Sequence, residues 1–425
     1  MGTDQAMRAV TEIIRNAEGG KVAVVSATSG TTDVLIRLGR EALNGGSFEA
    51  TLGELVKKHE DIVANLGINL NLNGFFEELR KILQGVNMLG ELSLNTLDRL
   101  QSFGERISAT ILAEYLKNNG MQAEMLDAFN LVRTDNNFGA GNVDFVSTYE
   151  TTRTVLMPMI ERGIVPVVTG FIGQAENGQY ITLGRGGSDY SGAIVAGALE
   201  ALELQIWTDV DGILNTDPRL VPEAKVLDQV SFNEAGELAY FGAKVLHPKT
   251  IKPAIEKNIP VRILNTFNVS APGTLITNEE IESLKSVTYK KNISVINICS
   301  LGMLNAHGFL ARIFEAFARN KVVVDVVSTS EVSVSVTVDS AVPENLVQEL
   351  SSFATVKVHE NMAIVCLVGE GIKTQSGVLG QLFSAVGEHN VSMVSQGASK
   401  RNITFLVNGE EAAEVVKKVF NKFFK

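Results

Sequence analysis

The sequence predicts an α/β fold, in which a parallel sheet covered by helices is followed by two ferredoxin-like βαββαβ modules. Short apolar runs such as Val22–Val25 and Ile164–Thr169 alternate with helical patterns, as in parallel sheets buried on both faces. Glycine turns follow several of these runs, at the strand ends where such sheets bind ligands. The last third contains an internal repeat, because Gly308–Val327 aligns with Gly377–Val394.

Composition limits the possible functions. The 425 residues are too many for one core, so we expect two to four domains. A net charge of −11 argues against general binding to nucleic acids or membrane surfaces. Cys299 and Cys366 both lie in apolar, strand-like runs, so we expect buried thiols and a reducing, cytoplasmic location. No apolar run reaches the roughly 18 residues of a membrane span.

The segment Ile181–Tyr190 is the strongest candidate for a ligand site. Gly184, Gly186 and Gly187 remove side chains from a turn between a strand and a small-residue helix, so backbone N–H groups can approach an anion. Arg185 adds donors suited to a carboxylate or phosphate. The turn lacks the dinucleotide fingerprint and the P-loop ending, and its three glycines taken alone favour a turn without a ligand.

Other polar segments follow predicted strands. Ser26–Asp33 is a second small-residue turn before a helix, although hydroxyl clusters are often only turns. Glu105 precedes a helix predicted over Ala109–Lys117, where the helix dipole alone would favour a carboxylate. Thr208–Arg219 is rich in acids, which could bind a metal or simply form turns. Lys244 follows a glycine, and on spacing alone a solvated amine is the simpler interpretation.

The repeat predicts the organisation of the C-terminal third. Each copy contains a helix with an apolar face, a strand, a turn and a second strand, which is the βαββαβ pattern. We expect a first domain over residues 1–277, a polar linker over 278–292, and two modules over 293–360 and 361–425.

These segments together resemble the aspartate kinases of the amino acid kinase family, most closely the monofunctional, lysine-sensitive kind with C-terminal ACT domains. The matching segments are Ser26–Asp33, Ser102–Glu105, Arg133–Asp135, Val167–Phe171, Leu183–Tyr190, Trp207–Ile213, Thr216–Arg219 and Phe241–Pro248. Each is weak alone, but together they follow the family order over nearly the whole first domain. The resemblance implies a three-layer kinase domain and paired ACT domains.

The resemblance also implies an activity: transfer of the γ-phosphoryl group of ATP, with Mg²⁺, to the β-carboxylate of L-aspartate. It assigns catalysis to Lys244, Asp189 and Arg185. It assigns aspartate binding to Thr32, Glu105, Phe171, Arg185 and Ser188. It assigns the nucleotide to Thr208, Asp209, Leu214, Arg219 and Lys244, where Leu214 stands in place of a tyrosine. No protein ligand of the metal ion is implied.

Lysine is the implied effector, bound where ACT modules meet. The corresponding residues are Met303, Ala306, Gly308, Leu310, Val324, Asp325, Ser330 and Glu331. Asp325 or Glu331 would pair with the effector's amines, and Ala306 replaces a serine of a relative. A solvated acid at a strand end is the simpler alternative without the repeat. A homodimer or tetramer through the ACT domains is also implied.

Such enzymes are expected to begin with an apolar strand and a Lys-Phe-Gly-Gly turn, and this sequence starts after that point. Two alternatives therefore stand beside the aspartate kinase: a catalytically impaired lysine sensor, and a kinase acting on another amino acid.

Overall fold

The computed structural model describes residues 2–241, 246, 248–304 and 307–425. Its helices are α1 Asp4–Asn16, α2 Thr31–Leu43, α3 Glu49–Leu66, α4 Asn73–Leu89, α5 Leu94–Asn118, α6 Phe145–Glu161, α7 Gly187–Leu199, α8 Phe232–Tyr240, α9 Lys252–Glu256, α10 Phe309–Arg319, α11 Glu344–Ser351, α12 Val378–Val386 and α13 Ala412–Phe424. Its strands are β1 Ala23–Val25, β2 Ala123–Leu126, β3 Arg133–Thr134, β4 Val165–Thr169, β5 Ile172–Ala175, β6 Tyr180–Thr182, β7 Leu204–Thr208, β8 Gln229–Ser231, β9 Val261–Asn265, β10 Thr274–Thr277, β11 Ser283–Cys299, β12 Val327–Thr329, β13 Ser333–Val338, β14 Thr355–Glu370, β15 Met393–Gln396 and β16 Asn402–Asn408.

The chain divides into two compact units. The first comprises Met1–Asp211 and His247–Thr277, and the second comprises Gly212–Leu246 and Asn278–Lys425. The predicted boundary at residue 277 coincides with a division between the units, whereas 212–246 groups with the C-terminal part of the chain.

Parallel strands form the centre of the first unit, which confirms the predicted fold class. Strand β4 lies between β1 and β2 and pairs with both in parallel. All five residues of β4 are buried, as its continuous apolar run predicts. Strands β7 and β9 form another parallel pair, which β10 extends in the antiparallel direction. The carboxyl ends of β1 and β4 therefore point the same way.

Helices α2 to α5 form a separate core in the first unit. Leu35, Leu52, Leu79 and Leu100 come from these four helices and are fully buried together. At about 25 cal/mol per Å² of apolar area, this packing is a main stabilising term and fixes how α5 lies against the end of β1.

The second unit contains one six-stranded sheet in the order β12-β13-β11-β14-β16-β15. The C-terminal half of β11 pairs with β13 and with the N-terminal half of β14. With α10 and α11 these strands complete the first βαββαβ module. The C-terminal half of β14 begins the second module, which continues through α12, β15, β16 and α13. The predicted ferredoxin-like fold is thus confirmed, although the strand that completes the second module comes from earlier in the chain.

The segment predicted as a linker contains strand rather than loop. Residues Ser283–Lys290 belong to β11 and pair with Ile364–Glu370 of β14, next to the strands of the second module. They supply that module's fourth strand, although they precede the first module in sequence. Ser286, Val287 and Thr288 are buried, so the polar composition of this segment concealed a strand with a buried centre.

Two further observations concern the cysteines and the helices. Cys366 is buried in β14, but Cys299 is exposed, so the prediction of two buried thiols was wrong for Cys299. Cys299 is the last residue of β11. In the described residues, none of the helices combines the length and apolar character that a membrane crossing requires.

Candidate active site and effector site

A glycine turn lies at the start of helix α7, as predicted. Gly184 and Gly186 have φ values of 78° and 72°, which side chains rarely adopt, and Gly186 caps the helix. A Cβ atom on Gly187 would collide with the ring of Phe171. The turn therefore needs glycine for two reasons: left-handed backbone at two positions and a close aromatic contact at the third.

The ends of β1 and β4 meet this turn. The Gly170 amide, just after β4, donates to the Val25 carbonyl at the end of β1 (2.9 Å). A Cβ atom on Gly170 would lie 2.8 Å from Oγ of Ser188, so the backbone after β4 touches the first turn of α7. Phe171 itself has φ 69°, held by its amide donating to Oγ of Ser191 (2.9 Å). Phe171 and Ser188 therefore lie at the same corner of the sheet.

Glu105 lies beside the end of β1. Its Oε1 accepts a hydrogen bond from the Ala27 amide (3.2 Å), while its Oε2 is buried without a partner. Burial raises the pKa of Glu105 to about 7, and the Ala27 hydrogen bond opposes that rise. The prediction that Glu105 lies near a helix start was wrong, because α5 begins at Leu94 behind an Ser93 cap. The helix dipole therefore does not account for this acid.

Thr32 lies in the first turn of α2, which Gly30 caps with φ 72°. The preceding turn has polar partners that the sequence did not indicate. Lys58 on α3 donates to the Ser29 carbonyl (2.6 Å) and to Oγ1 of Thr31 (3.0 Å), and burial lowers its pKa. The ammonium group of Lys58 on α3 therefore contacts the Ser26–Asp33 segment. No spacing in the sequence connects Lys58 with this segment, because its contact with Thr31 joins residues on two different helices.

His59 completes this group. It is fully buried, with Nε2 3.0 Å from Oγ1 of Thr28 and Nδ1 2.8 Å from the Leu55 carbonyl. Desolvation lowers its pKa to about 4, so His59 is neutral at physiological pH and acts as a hydrogen-bonded support for the turn.

Asp189 and Arg185 flank the start of α7. Burial raises the pKa of Asp189 to about 6, and its carboxylate has no hydrogen-bond partner among the described residues. Arg185 is exposed and forms no ion pair within the part of the chain that the structure describes. A half-buried acid and an exposed guanidinium therefore lie at one glycine turn.

The predicted nucleotide residues are divided between the two units. In the first unit, Thr208 ends β7 and donates to Oδ1 of the exposed Asp209 (3.2 Å). In the second unit, Leu214 forms a bridge with Val226. Arg219 binds Asp217 through two nitrogens (2.7–3.2 Å), while 85% of its side chain remains exposed. Lys244, predicted to touch the phosphates, lies outside the described residues.

The predicted effector residues lie in the first module. Gly308 caps α10 with φ 81°, and Leu310 is 41% exposed on that helix. Met303 ends a short 3₁₀ helix, and Val324 packs against the module core. Ser330 contacts Oγ of Ser333 (2.7 Å), and Glu331 is exposed.

The remaining two predicted effector positions are Ala306 and Asp325. Ala306 lies outside the described residues. Asp325 is unlike Glu331, because only 2% of its side chain is exposed and the chain itself supplies its partners, Tyr240 and Lys290. The alternative of a solvated acid is therefore wrong for Asp325.

Comparison with known proteins identifies the family. Residues 1–265 match the amino acid kinase family, and residues 296–351 and 365–423 match the ACT domain. The lysine-sensitive aspartokinase 3 of Escherichia coli is 35% identical over 99% of this chain and 96% of its own length. The chain belongs to the aspartokinases. This confirms the predicted family and the predicted kinase activity.

Two solved structures show the same fold. Escherichia coli aspartokinase III in complex with aspartate and ADP, described as the R-state, has a TM-score of 0.84 and 33% identity over 100% of this chain and 97% of that one. The same enzyme in complex with lysine and aspartate, described as the T-state, has a TM-score of 0.82 and 34% identity over the same shares. Aspartokinase relatives thus match along the entire chain, ACT modules included.

Proposed function

We propose that this chain phosphorylates the β-carboxylate of L-aspartate with ATP, forming 4-phospho-L-aspartate and ADP. The observation that carries this is Glu105, a buried acid at the carboxyl end of β1 with one oxygen lacking a partner. Such an oxygen suits a ligand ammonium group. The aspartokinase relative crystallised with aspartate and ADP supports the choice of substrates.

In this proposal, different residues bind the ammonium and carboxylate groups of aspartate. The ammonium group pairs with Glu105, and Arg185 binds the α-carboxylate through its fork of donors. Phe171, Ser188 and Thr32 border the same corner of the sheet. The N–H groups of the glycine turn and the start of α7 favour anions, which helps to hold negative groups close together.

Phosphoryl transfer then needs positioning more than proton transfer. A side-chain carboxylate has a reference pKa of about 4 and is ionised at neutral pH, so no general base is required. One β-carboxylate oxygen attacks the γ-phosphorus, and the bond from that phosphorus to the β,γ-bridging oxygen breaks, so ADP leaves. Asp189 orients polar groups at the reacting atoms. Thr208, Asp209, Leu214, Arg219 and Lys244 are the proposed nucleotide contacts.

We include Mg²⁺ with the nucleotide. Asp189 and Asp209 offer the oxygen donors that this ion prefers. The described residues contain no group of three or more His, Cys, Asp or Glu side chains arranged to hold a metal. An ion carried mainly by phosphate oxygens fits both observations, and it would neutralise charge on the phosphates.

The test is a coupled assay of ADP release with L-aspartate, compared with L-glutamate and with no acceptor. We expect turnover that depends on aspartate and stops when Mg²⁺ is chelated. Turnover with glutamate alone would replace the proposed substrate, and no turnover with any acceptor would contradict the proposal.

We also propose that lysine inhibits the enzyme through the first ACT module. The T-state relative with bound lysine and the buried acid Asp325 support this. Added lysine should reduce aspartate turnover, and Asp325→Asn should reduce that inhibition. Retained inhibition in this variant would move the effector site elsewhere.

A homodimer or tetramer through the ACT modules is the proposed assembly, in the cytoplasm. Exposed apolar side chains in the first module support self-association: Leu301, Leu304, Leu310, Phe314 and Val323. Light scattering on the full chain tests it, and a monomer at micromolar concentration would contradict it.

A further inference from the structure

A cluster of polar and charged side chains surrounds the buried carboxylate of Asp325 in the second unit. The hydroxyl of Tyr240 donates to Oδ1 of Asp325, and Nζ of Lys290 lies 3.5 Å from Oδ2. Lys290 also lies 2.9 Å from Oδ2 of Asp339, and its ammonium is 5.1 Å from the centre of the Tyr240 ring. We call these four residues the Asp325 cluster. With no ligand bound, its central carboxylate is already satisfied.

The cluster imitates the chemistry of the proposed effector. Lys290 presents the same alkylammonium group that free lysine would bring to Asp325. An ammonium and a hydroxyl already occupy the two oxygens, and a carboxylate has a limited number of acceptor positions. A lysine molecule that pairs with Asp325 must therefore replace at least one of these partners.

Tyr240 links this cluster to helix α8. Glu234, Glu237 and Tyr240 are spaced by three residues and so lie on one side of the helix. Glu234 accepts from the Glu370 amide (3.0 Å) in β14. Glu237 accepts from Ser399 and Asn402 (2.7 and 2.6 Å), in the second module. The helix is thus bound to the second module along its length and to the first module at its last residue.

The Tyr240 contact lies at one end of the helix, because Tyr240 is the last residue of α8. Loss of the Tyr240 contact would leave the end of α8 without its hydrogen bond to Asp325 of the first module. The Glu234 and Glu237 contacts would remain, so the change would be confined to the C-terminal end of α8.

We propose that Tyr240 and Lys290 hold Asp325 in the absence of effector, that lysine replaces them, and that release of Tyr240 loosens the C-terminal end of α8. This rests on the proposed lysine regulation and names its residues. Contacts present only without effector oppose effector binding, because the effector must first break them. Their removal should therefore strengthen lysine binding.

The experiment measures lysine affinity by calorimetry on the full chain and its Tyr240→Phe and Lys290→Met variants. We expect the dissociation constant to fall about three- to tenfold in each, the range for losing one competing hydrogen bond. Lys291→Met is the matched control, because Lys291 is exposed and lies over the Tyr289 ring (5.6 Å) rather than in the cluster. Its affinity should equal that of the unmodified chain.

A second measurement, amide hydrogen exchange of α8, does not need the effector. Exchange near Tyr240 should be faster in Tyr240→Phe and in Asp325→Asn without lysine, and faster in the unmodified chain when lysine is added. Exchange near Glu234 should not change.

The outcomes separate the two proposals. If the unmodified chain does not bind lysine, lysine is not the effector, and the exchange of the two variants still decides the role of Tyr240. If it binds lysine but neither Tyr240→Phe nor Lys290→Met changes the affinity, the proposed competition is overturned. Unchanged exchange near Tyr240 in both variants overturns the proposed link through α8.

Discussion

Glu105 in the first unit and Asp325 in the second show two opposite arrangements of a buried carboxylate. In the first unit, one carboxylate oxygen of Glu105 has no hydrogen-bond partner. The carboxylate of Asp189 has no hydrogen-bond partner among the described residues. Burial raises the pKa of both. In the second unit, Asp325 is equally hidden but is held by Tyr240 and Lys290 of the same chain. The acid proposed to bind substrate is thus left unpaired, whereas the acid proposed to bind the effector already has partners within the chain.

The presence or absence of a partner within the chain should affect how strongly each acid binds a cationic ligand. Leaving an acid unpaired costs stability but gives a cationic ligand the full benefit of pairing. A pre-paired acid costs less in the empty protein, and its ligand gains only the difference between old and new partners. The four predictions below test this contrast, from the largest expected effect to the smallest.

Removal of the Glu105 charge should have the largest effect. We expect Glu105→Gln to lower kcat/KM for aspartate about 100-fold, because a charge-assisted contact with the ammonium group is lost. Glu114→Gln is the control, on the same helix but paired with Lys117 (3.6 Å) away from the site. Equal kcat/KM in both variants would show that Glu105 does not receive the substrate.

Stability should fall as pH rises through neutrality. The folded pKa of Glu105, about 7, is above its ordinary 4.5, so its contribution is complete below pH 4.5 and is lost as pH rises through 7. Between pH 5 and pH 7 the free energy of unfolding should decrease by about 2 kcal/mol from this group. Denaturant titrations of the chain and of Glu105→Gln measure this difference. Parallel pH profiles for the two proteins would contradict it.

Aspartate binding should show the reverse dependence. Only ionised Glu105 pairs with the ammonium group, so KM for aspartate should fall about tenfold between pH 6 and pH 8. Initial rates across this range measure the effect, with KM for ATP as the internal reference. A KM that stays constant would mean that Glu105 remains ionised in the empty site or does not contact aspartate.

The outer part of the Asp325 cluster should matter least. Asp339 is 45% exposed, so its ion pair with Lys290 is largely screened by solvent. Asp339→Asn should change the free energy of unfolding by less than about 1 kcal/mol. Thermal and denaturant unfolding test this, and a larger loss would place Asp339 among the structural acids.

The glycine turn was predictable, whereas the placement of Glu105 was not. Gly184 and Gly186 adopt positive φ angles, which are typical of glycine, so the residue type itself indicated a turn. The helix of Glu105 was predicted to start too late, although Ser93 is a visible capping residue. The burial that raises the pKa of Glu105 depends on packing among distant helices, which local patterns do not record.

Contacts between residues far apart in sequence were also not predictable from local patterns. The repeat predicted both ACT modules, but polar residues hid the strand that starts at Ser283. Tyr240 lies 85 residues before Asp325, and no periodicity connects them. Sequence patterns identified Asp325 as a candidate through the family resemblance, while its competitor within the chain became visible only in three dimensions.

Strand β11 has a consequence for the order of synthesis. Its first half, Ser283–Lys290, leaves the ribosome before any other strand of the second module, yet its neighbour Ile364–Glu370 is made only after the whole first module. During synthesis, Ser283–Lys290 therefore has no pairing strand until the first module has been made. A nascent chain stalled between Ser351 and Thr355 would carry an exposed strand edge that invites pairing with another chain.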